Sequence, residues 1–109
     1  MYQQSNENNY QEVLEKIQQK TLAYGDKTLM AEFRLGQGAD LPRHSHPHEQ
    51  TGYLVSGEIA LTIGDETHRV KPGDSWCIAG GVEHKATAME DSVAIEVFSP
   101  VREDYIPQA

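Results

Sequence analysis

Cysteine is nearly absent from this sequence, which has one such residue, Cys77, among 109. A single thiol cannot form a disulfide within the chain, so no cross-linked framework holds the protein together. Residues 75–79, with the sequence SWCIA, are typical of a strand. We therefore expect Cys77 to be a buried, unreactive thiol rather than a catalytic nucleophile.

Basic residues and long apolar runs are also scarce. The 9 Lys and Arg residues are scattered singly against 17 Asp and Glu, which gives a formal net charge of -8. The chain therefore lacks the basic stripe of a nucleic-acid-binding protein and the polybasic patch of a membrane-surface protein. No apolar run is long enough to cross a bilayer, and the N-terminus has no apolar signal core. We predict a cytoplasmic protein with neither a nucleic-acid partner nor a membrane partner.

The sequence instead contains many short β-type segments separated by glycine and proline turns, in a chain long enough for one domain. An all-β sandwich or barrel is the fold that such a pattern indicates. Residues 1–27 are expected to form an N-terminal tail followed by a first strand or a short helix, since both fit residues 10–20. Residues 28–109 are expected to form the barrel domain. The predicted strands cover residues 28–35, 52–56, 58–63, 67–70, 75–78, 84–88 and 92–98.

Histidines form the most informative cluster in the sequence. Of five histidines, His44, His46 and His48 fall within five positions. In a strand, residues i and i+2 project from the same face, so His44 and His46 can contact one ion, and imidazole nitrogen suits zinc, copper, iron and nickel. His48 and Gln50 are both even steps further along, so parity alone leaves the next ligand open. The isolated His68 is expected to face solvent.

The residues around the histidines resemble the two motifs of the cupin superfamily. In the first motif a glycine is followed after five residues by His-x-His, then by an acidic residue and a glycine; in the second, a glycine leads to a single histidine. The matching positions here are Gly38, His44, His46, Gln50 and Gly57, and then Gly73, Gly81 and His84. This resemblance implies a single cupin β-barrel (a double-stranded β-helix, or jelly roll), a homodimer, and one divalent metal ion held by His44, His46, Gln50 and His84.

Gln50 stands where the superfamily motif usually has Glu. Glu49 is adjacent, but a slip by one residue would point its side chain to the other face of the strand. Ala79 and Ala88 replace the usual Pro and Asn of the second motif, which concerns packing more than chemistry. Three neutral imidazoles and a neutral amide would leave the charge of the metal uncompensated, which favours an anionic ligand. Nickel, iron, manganese, cobalt and zinc all suit this ligand set.

A second candidate site lies near the C-terminus. In the alternating segment from Ala94 to Phe98, Glu96 shares one face with two apolar residues. If that face lines the interior, burial raises the pKa of Glu96 and makes it a candidate general acid or base. The alternative is a glutamate on an edge strand that faces water.

Residues 98–105, 44–50 and 53–57 resemble the pectin-degradation cupins of the KdgF type. The resemblance implies action on 4,5-unsaturated uronates released from pectin or alginate, with conversion to the linear ketonised sugar acid. It also implies catalytic roles for Glu96, Phe98 and Arg102. The family acid is an Asp, and Glu96 is one methylene longer, which puts identical chemistry in doubt. The alternative for Arg102 is a surface charge paired with Glu103 or Asp104.

We therefore favour a metal-dependent enzyme that acts on a small anionic sugar acid. Two other classes of function stay open at this point. Open coordination positions on a redox-active metal would allow a cupin dioxygenase, although the neutral Gln50 makes this less natural. A lone cupin can also be a non-enzymatic domain that binds a small ligand.

Overall fold

The structure is a computed structural model that describes residues 1–107. Within this part of the chain, ten strands in chain order are followed by one turn of 3-10 helix. Their bounds are Gln11–Leu14 (β1), Ile17–Tyr24 (β2), Leu29–Leu35 (β3), Asp40–His44 (β4), Glu49–Ser56 (β5), Ile59–Ile63 (β6), Glu66–Val70 (β7), Ser75–Ile78 (β8), His84–Ala88 (β9), Ser92–Ser99 (β10) and Glu103–Tyr105 for the 3-10 turn.

The strands form two sheets that pack face to face. One sheet has six strands in the order β1-β2-β3-β10-β5-β8, and the other has four in the order β4-β9-β6-β7. Leu54 and Ala94 of the first sheet share a buried cluster with Leu61 and Ala86 of the second. The predicted all-β jelly roll is confirmed. Over the described residues, the two sheets of this jelly roll enclose a common core but are not hydrogen-bonded to each other.

Residues 10–20, for which helix and strand both fitted the sequence, belong to a hairpin. Strands β1 and β2 pair antiparallel, and β2 pairs along β3. Ile17 is buried, whereas Val13 and Leu14, which would share its face in a helix, are exposed. Pairing with β3 therefore decides that this segment is a strand and not a helix. It supplies hydrogen-bond partners for the backbone of β2 and at the same time buries Ile17.

Cys77 is exposed, so the prediction of a buried thiol is wrong. Strand β8 does occupy the predicted residues, but side chains alternate along it, and it is Ile78 that is fully buried. Cys77 therefore lies on the face of β8 that points away from the core and is exposed to solvent. His68 is exposed on β7, as expected, and lies 3.6 Å from Glu66.

A type II turn links β7 to β8. Gly73 has a φ of 94°, the left-handed value that the third position of this turn requires and that glycine adopts without strain. The amide of Asp74 donates to the carbonyl of Lys71 at 2.9 Å and closes the turn. Across residues 1–107, the structure has no helix with the length and hydrophobicity needed to span a bilayer.

Candidate functional site

Three of the candidate metal ligands, His44, His46 and His84, come together at one end of the barrel. His44 ends β4 and His84 begins β9, and the two are direct partners in the antiparallel register. His46 follows in the connection to β5, so the two motif histidines approach one another although the strand ends at His44. One ligand atom from each ring lies within 4.8 Å of those of the other two. The predicted histidine cluster is therefore present in the fold.

Backbone carbonyls set the tautomer of each ring in this cluster. A carbonyl oxygen only accepts hydrogen bonds, so the ring nitrogen facing it carries the proton. In all three rings Nδ1 faces such a carbonyl, which leaves the lone pair of Nε2 available to a metal ion. The Nδ1 to oxygen distances are 2.9 Å from His44 to Pro42, 3.0 Å from His46 to His48 and 2.9 Å from His84 to Val82.

Gln50, the fourth candidate ligand, is buried near the start of β5. Its Oε1 lies 2.7 Å from Nε2 of His46. Nδ1 of His46 already carries the proton of the neutral ring and donates it to a carbonyl. The unprotonated Nε2 therefore faces the amide oxygen of Gln50 with a lone pair. Two acceptors at this distance need a proton or a cation between them. The donor set thus fits a divalent metal ion that shares the His46 nitrogen and the Gln50 oxygen.

His46 and His84 lie in surroundings that favour their neutral forms. Burial lowers the pKa of His46 and of His84, and in both cases the charge of neighbouring groups lowers it further. A neutral imidazole is the form that binds a metal. The fit to a metal ion therefore extends from the positions of the nitrogens to their protonation.

The neighbouring alternatives, Glu49 and His48, lie elsewhere. Glu49 is exposed and Gln50 is buried, because successive residues of β5 point to opposite faces. The pairing of β5 is therefore not shifted by the one residue that would bring Glu49 into the histidine cluster. The ring of His48 is 5.6 Å from that of His46, and its Nδ1 is buried without a hydrogen-bond partner. His48 thus borders the cluster at its rim.

Glu96 lies inside the protein, next to Gln50. Its strand, β10, runs between β3 and β5 in the middle of the sheet, so the alternative of an edge-strand glutamate is wrong. Nε2 of Gln50 donates to one carboxylate oxygen at 2.9 Å, and Nε1 of Trp76 donates to the other at 3.0 Å. Burial raises the pKa of Glu96 to about 7, although the hydrogen bonds from Gln50 and Trp76 oppose this shift.

Phe98 and Arg102 complete this end of the barrel. Phe98 is buried and packs edge-on against the ring of His46, with 5.8 Å between centroids. The guanidinium of Arg102 lies 5.1 Å from the ring centre of Phe98 and 4.2 Å from that of Tyr105. It also donates to both oxygens of Asp104, at 3.1 and 2.7 Å. Arg102 therefore has the Asp104 partner of the surface-charge alternative and also borders the histidine cluster through Phe98.

Sequence reasoning did not single out Trp76 or Tyr105. Both are side chains of this site, since Trp76 holds Glu96 and Tyr105 stacks on Arg102. The alternation of β8 carried a usable signal for Trp76, because it shares the inward face with the fully buried Ile78. No comparable periodic signal exists for Tyr105, which follows the last strand.

The chain is similar to known proteins over most of its length. Pectin degradation protein KdgF of Dickeya dadantii is 28% identical over 99 residues, covering 89% of this chain and 90% of the relative. The solved structure of KdgF from a Halomonas species has a TM-score of 0.92 and 31% identity, covering 97% of this chain and 98% of that chain. An RmlC-like cupin from Shewanella frigidimarina has a TM-score of 0.91 at 23% identity over 96% and 95% of the two chains, which shows a shared fold.

A model of the cupin domain matches residues 31–99. That range begins in β3 and ends with β10, so it contains every strand that contributes a side chain to the histidine cluster. The chain belongs to the cupin family.

Proposed function

We propose that this protein is a metal-dependent enzyme of pectin or alginate breakdown that converts a 4,5-unsaturated uronate into its linear ketonised form. One observation carries the proposal: three histidines and Gln50 meet at a point that also borders the buried carboxylate of Glu96. The similarity to KdgF proteins, one of them described as a pectin degradation protein, supports the choice of substrate.

In this proposal His44, His46, His84 and Gln50 hold one divalent ion. Such an ion supplies Lewis-acid polarisation of a substrate oxygen. All four side chains are neutral, so the ion's charge is not offset by its ligands, and an anionic sugar acid is attracted to the site although the whole chain has a net charge of -8. Nickel, iron, manganese, cobalt and zinc all remain candidates because each accepts nitrogen and oxygen donors.

Arg102 is proposed to bind the carboxylate of the substrate. Its guanidinium can form two parallel hydrogen bonds with a carboxylate, as it does with Asp104. Stacking on Tyr105 and contact with Phe98 hold the plane of the guanidinium in place. A carboxylate that enters the site would share or replace the Asp104 contact, and Phe98 would form the apolar wall between this group and His46.

Glu96 is proposed to move a proton during the reaction. Opening of the sugar ring frees an aldehyde and an enol, and the enol becomes a ketone when its hydroxyl proton leaves and a proton adds to the neighbouring carbon. The overall change is an isomerisation, so no oxidant or reductant is consumed. Glu96 accepts a hydrogen bond from Gln50, a proposed metal ligand, and this supports a role in proton transfer near the substrate oxygens that the ion would bind.

The proposal is tested by mixing purified protein with the unsaturated uronate that a pectate or alginate lyase releases, and following the ultraviolet absorbance of its double bond. We expect faster decay with metal-loaded protein than with chelator-treated protein. Decay at the uncatalysed rate with every candidate metal would overturn the proposal. Oxygen uptake measured in the same samples separates ketonisation from a dioxygenase reaction, since only the latter consumes oxygen.

Arg102→Lys gives a sharper version of this test. Lysine keeps the positive charge but loses the planar pair of donors, so we expect KM for the uronate to rise about 10-fold or more with a smaller change in kcat. Arg69→Lys is the matched control, because Arg69 is exposed, pairs with Glu58 and lies on β7, which contributes no side chain to the cluster of His44, His46 and His84. Equal kinetics in both variants would rule out the proposed role of Arg102.

A further inference from the structure

Trp76, Gly52 and Glu96 lie side by side on three neighbouring strands. In the register of the sheet, Trp76 on β8 is opposite Gly52 on β5, and Gly52 is opposite Glu96 on β10. A side chain in the middle position would normally separate the other two. The middle residue here is a glycine, and the indole lies in the space above it: a Cβ built on Gly52 would overlap the indole ring of Trp76. The glycine therefore opens the path by which Trp76 reaches Glu96.

A chain of hydrogen bonds runs from this indole to the histidine cluster. Nε1 of Trp76 donates to Oε1 of Glu96 at 3.0 Å, and Nε2 of Gln50 donates to Oε2 at 2.9 Å. The indole and amide N–H groups can only donate, so the carboxylate accepts from both sides. Because the amide nitrogen of Gln50 faces Glu96, its oxygen faces His46 at 2.7 Å.

The direction of the Gln50 amide decides whether this residue can bind a cation. Turned by half a rotation, the amide would present its NH₂ group to the histidines and its oxygen to the carboxylate of Glu96. The first contact would repel a metal ion, and the second would place two acceptors together when the carboxyl group of Glu96 is ionised. The carboxylate of Glu96 thus selects the orientation of Gln50 that can bind a metal, provided the carboxylate itself is held in place.

We propose that Trp76 and Gly52 are positioning residues for the metal site: they hold the carboxylate of Glu96 so that it keeps the amide oxygen of Gln50 turned toward the histidines. This inference rests on the metal-binding part of the proposed function but not on the sugar substrate. It gives Glu96 a role in metal binding that is separate from proton transfer. Groups that orient a ligand in this way are commonly worth about 10- to 100-fold in metal affinity.

The test measures the affinity of the metal-free protein for Zn²⁺ alone by isothermal titration calorimetry. Trp76→Phe keeps a ring over Gly52 but removes the donor, and Gly52→Ala displaces the ring. We expect Zn²⁺ to bind roughly 10-fold or more weakly to each variant. Cys77→Ser is the matched control, because Cys77 adjoins Trp76 on β8 but is exposed on the other face, and its affinity is expected to equal that of the wild type.

A second variant guards against general damage to the fold. Trp76 is the only tryptophan in the chain, so growth on benzothienylalanine, in which sulfur replaces the ring N–H, removes this one hydrogen bond and keeps the ring system. The same loss of affinity with an unchanged melting temperature supports the proposal. A Zn²⁺ affinity within about fivefold of the wild type in this protein would overturn it.

The affinity for Zn²⁺ and the conversion of uronate test different proposals. If wild-type protein binds Zn²⁺ and the variants bind it less tightly, the positioning role stands even when no uronate is converted. If uronate is converted and the variants keep full affinity, the positioning role fails while the proposed function survives. A wild-type protein that binds no Zn²⁺ overturns the positioning role itself.

Discussion

Glu96 is a carboxylate inside a chain whose acidic residues are mostly at the surface. The residue is 8% exposed, and its hydrogen-bond partners, Gln50 and Trp76, are both uncharged. Burial without a cationic partner favours the protonated form, which is why its pKa rises to about 7. In the metal-free protein this residue should therefore make the free energy of unfolding depend on pH.

The sign of this pH dependence follows from the raised pKa. The folded state holds the proton up to about pH 7, and the unfolded state releases it near the ordinary value of 4.5. The contribution of Glu96 to stability is therefore present below pH 4.5 and lost as the pH rises to about 7, a change on the order of 3 kcal/mol. The free energy of unfolding of chelator-treated wild type and of Glu96→Gln, measured with denaturant across this pH range, checks the prediction. The histidines contribute to the pH dependence of both proteins with the opposite sign, so their contribution cancels in the difference. A difference that stays constant from pH 4 to pH 8 contradicts the prediction.

The histidines offer a matched pair of substitutions. His84→Ala removes a buried ring from the cluster, whereas His68→Ala removes an exposed ring whose neighbour is Glu66. We expect His84→Ala to reduce the bound metal in purified protein to a trace and His68→Ala to leave it unchanged, because only the first takes away a ligand. Elemental analysis of both proteins, purified without added metal, gives the result. Equal metal contents would remove His84 from the proposed ligand set.

At the scale of elements, β10 is the strand on which the site depends. It pairs with β3 on one side and β5 on the other, which supplies hydrogen-bond partners along both edges of the strand and places Glu96 opposite Gly52 and Phe98 opposite Gln50. Alternation along the sequence identifies β10 and its inward residues. It does not identify the neighbours, because register depends on which strands pair, and this is a long-range property.

Gly57, which begins the link between β5 and β6, is the glycine for which we expect the largest cost of substitution. Its φ is 89°, and a Cβ there would overlap Ser92 and the carbonyl of Asp91. Gly57→Ala should lower the free energy of unfolding by about 1 to 3 kcal/mol through backbone strain alone. Gly25→Ala is the control, because nothing lies within 4 Å of a Cβ at that position. Similar unfolding midpoints for the two variants would show that this turn can relax.

At the scale of the whole molecule, the outer face of the six-stranded sheet carries several exposed apolar side chains. Met30 on β3 is 39% exposed, and Tyr53 and Val55 on β5 are each 49% exposed, with β10 lying between these two strands. The homodimer expected from the resemblance would cover such a face. Sedimentation equilibrium should then give twice the chain mass of 12.2 kDa. Tyr53→Lys should shift the mass toward a monomer, while Met89→Lys, at an exposed turn, should not; a wild-type monomer at micromolar concentration would exclude the dimer.

The local sequence pattern determined the fold class of this protein, several strand boundaries and part of the candidate metal site. The alternation of apolar residues and the glycine and proline turns correctly predicted the β class, and β8 and β9 begin and end where expected. The spacing of His44 and His46 predicted that both could bind one ion, because residues two apart in a strand share a face, whereas His84 came from the resemblance to the second cupin motif. The hairpin of β1 and β2 stayed ambiguous, because its conformation depends on pairing with β3 rather than on its own pattern.

Only the tertiary structure decided which distant residues meet. Pairing of β4 with β9 sets His44 beside His84, and the order β10-β5-β8 sets Glu96, Gly52 and Trp76 in one row. The sequence of β10 alone allowed either an exposed or a buried Glu96, and the sequence of β8 did not reveal that its indole crosses a glycine. The physical reason is that burial, pKa and ligand orientation come from neighbours across the sheets, and these neighbours are set by packing rather than by residue spacing.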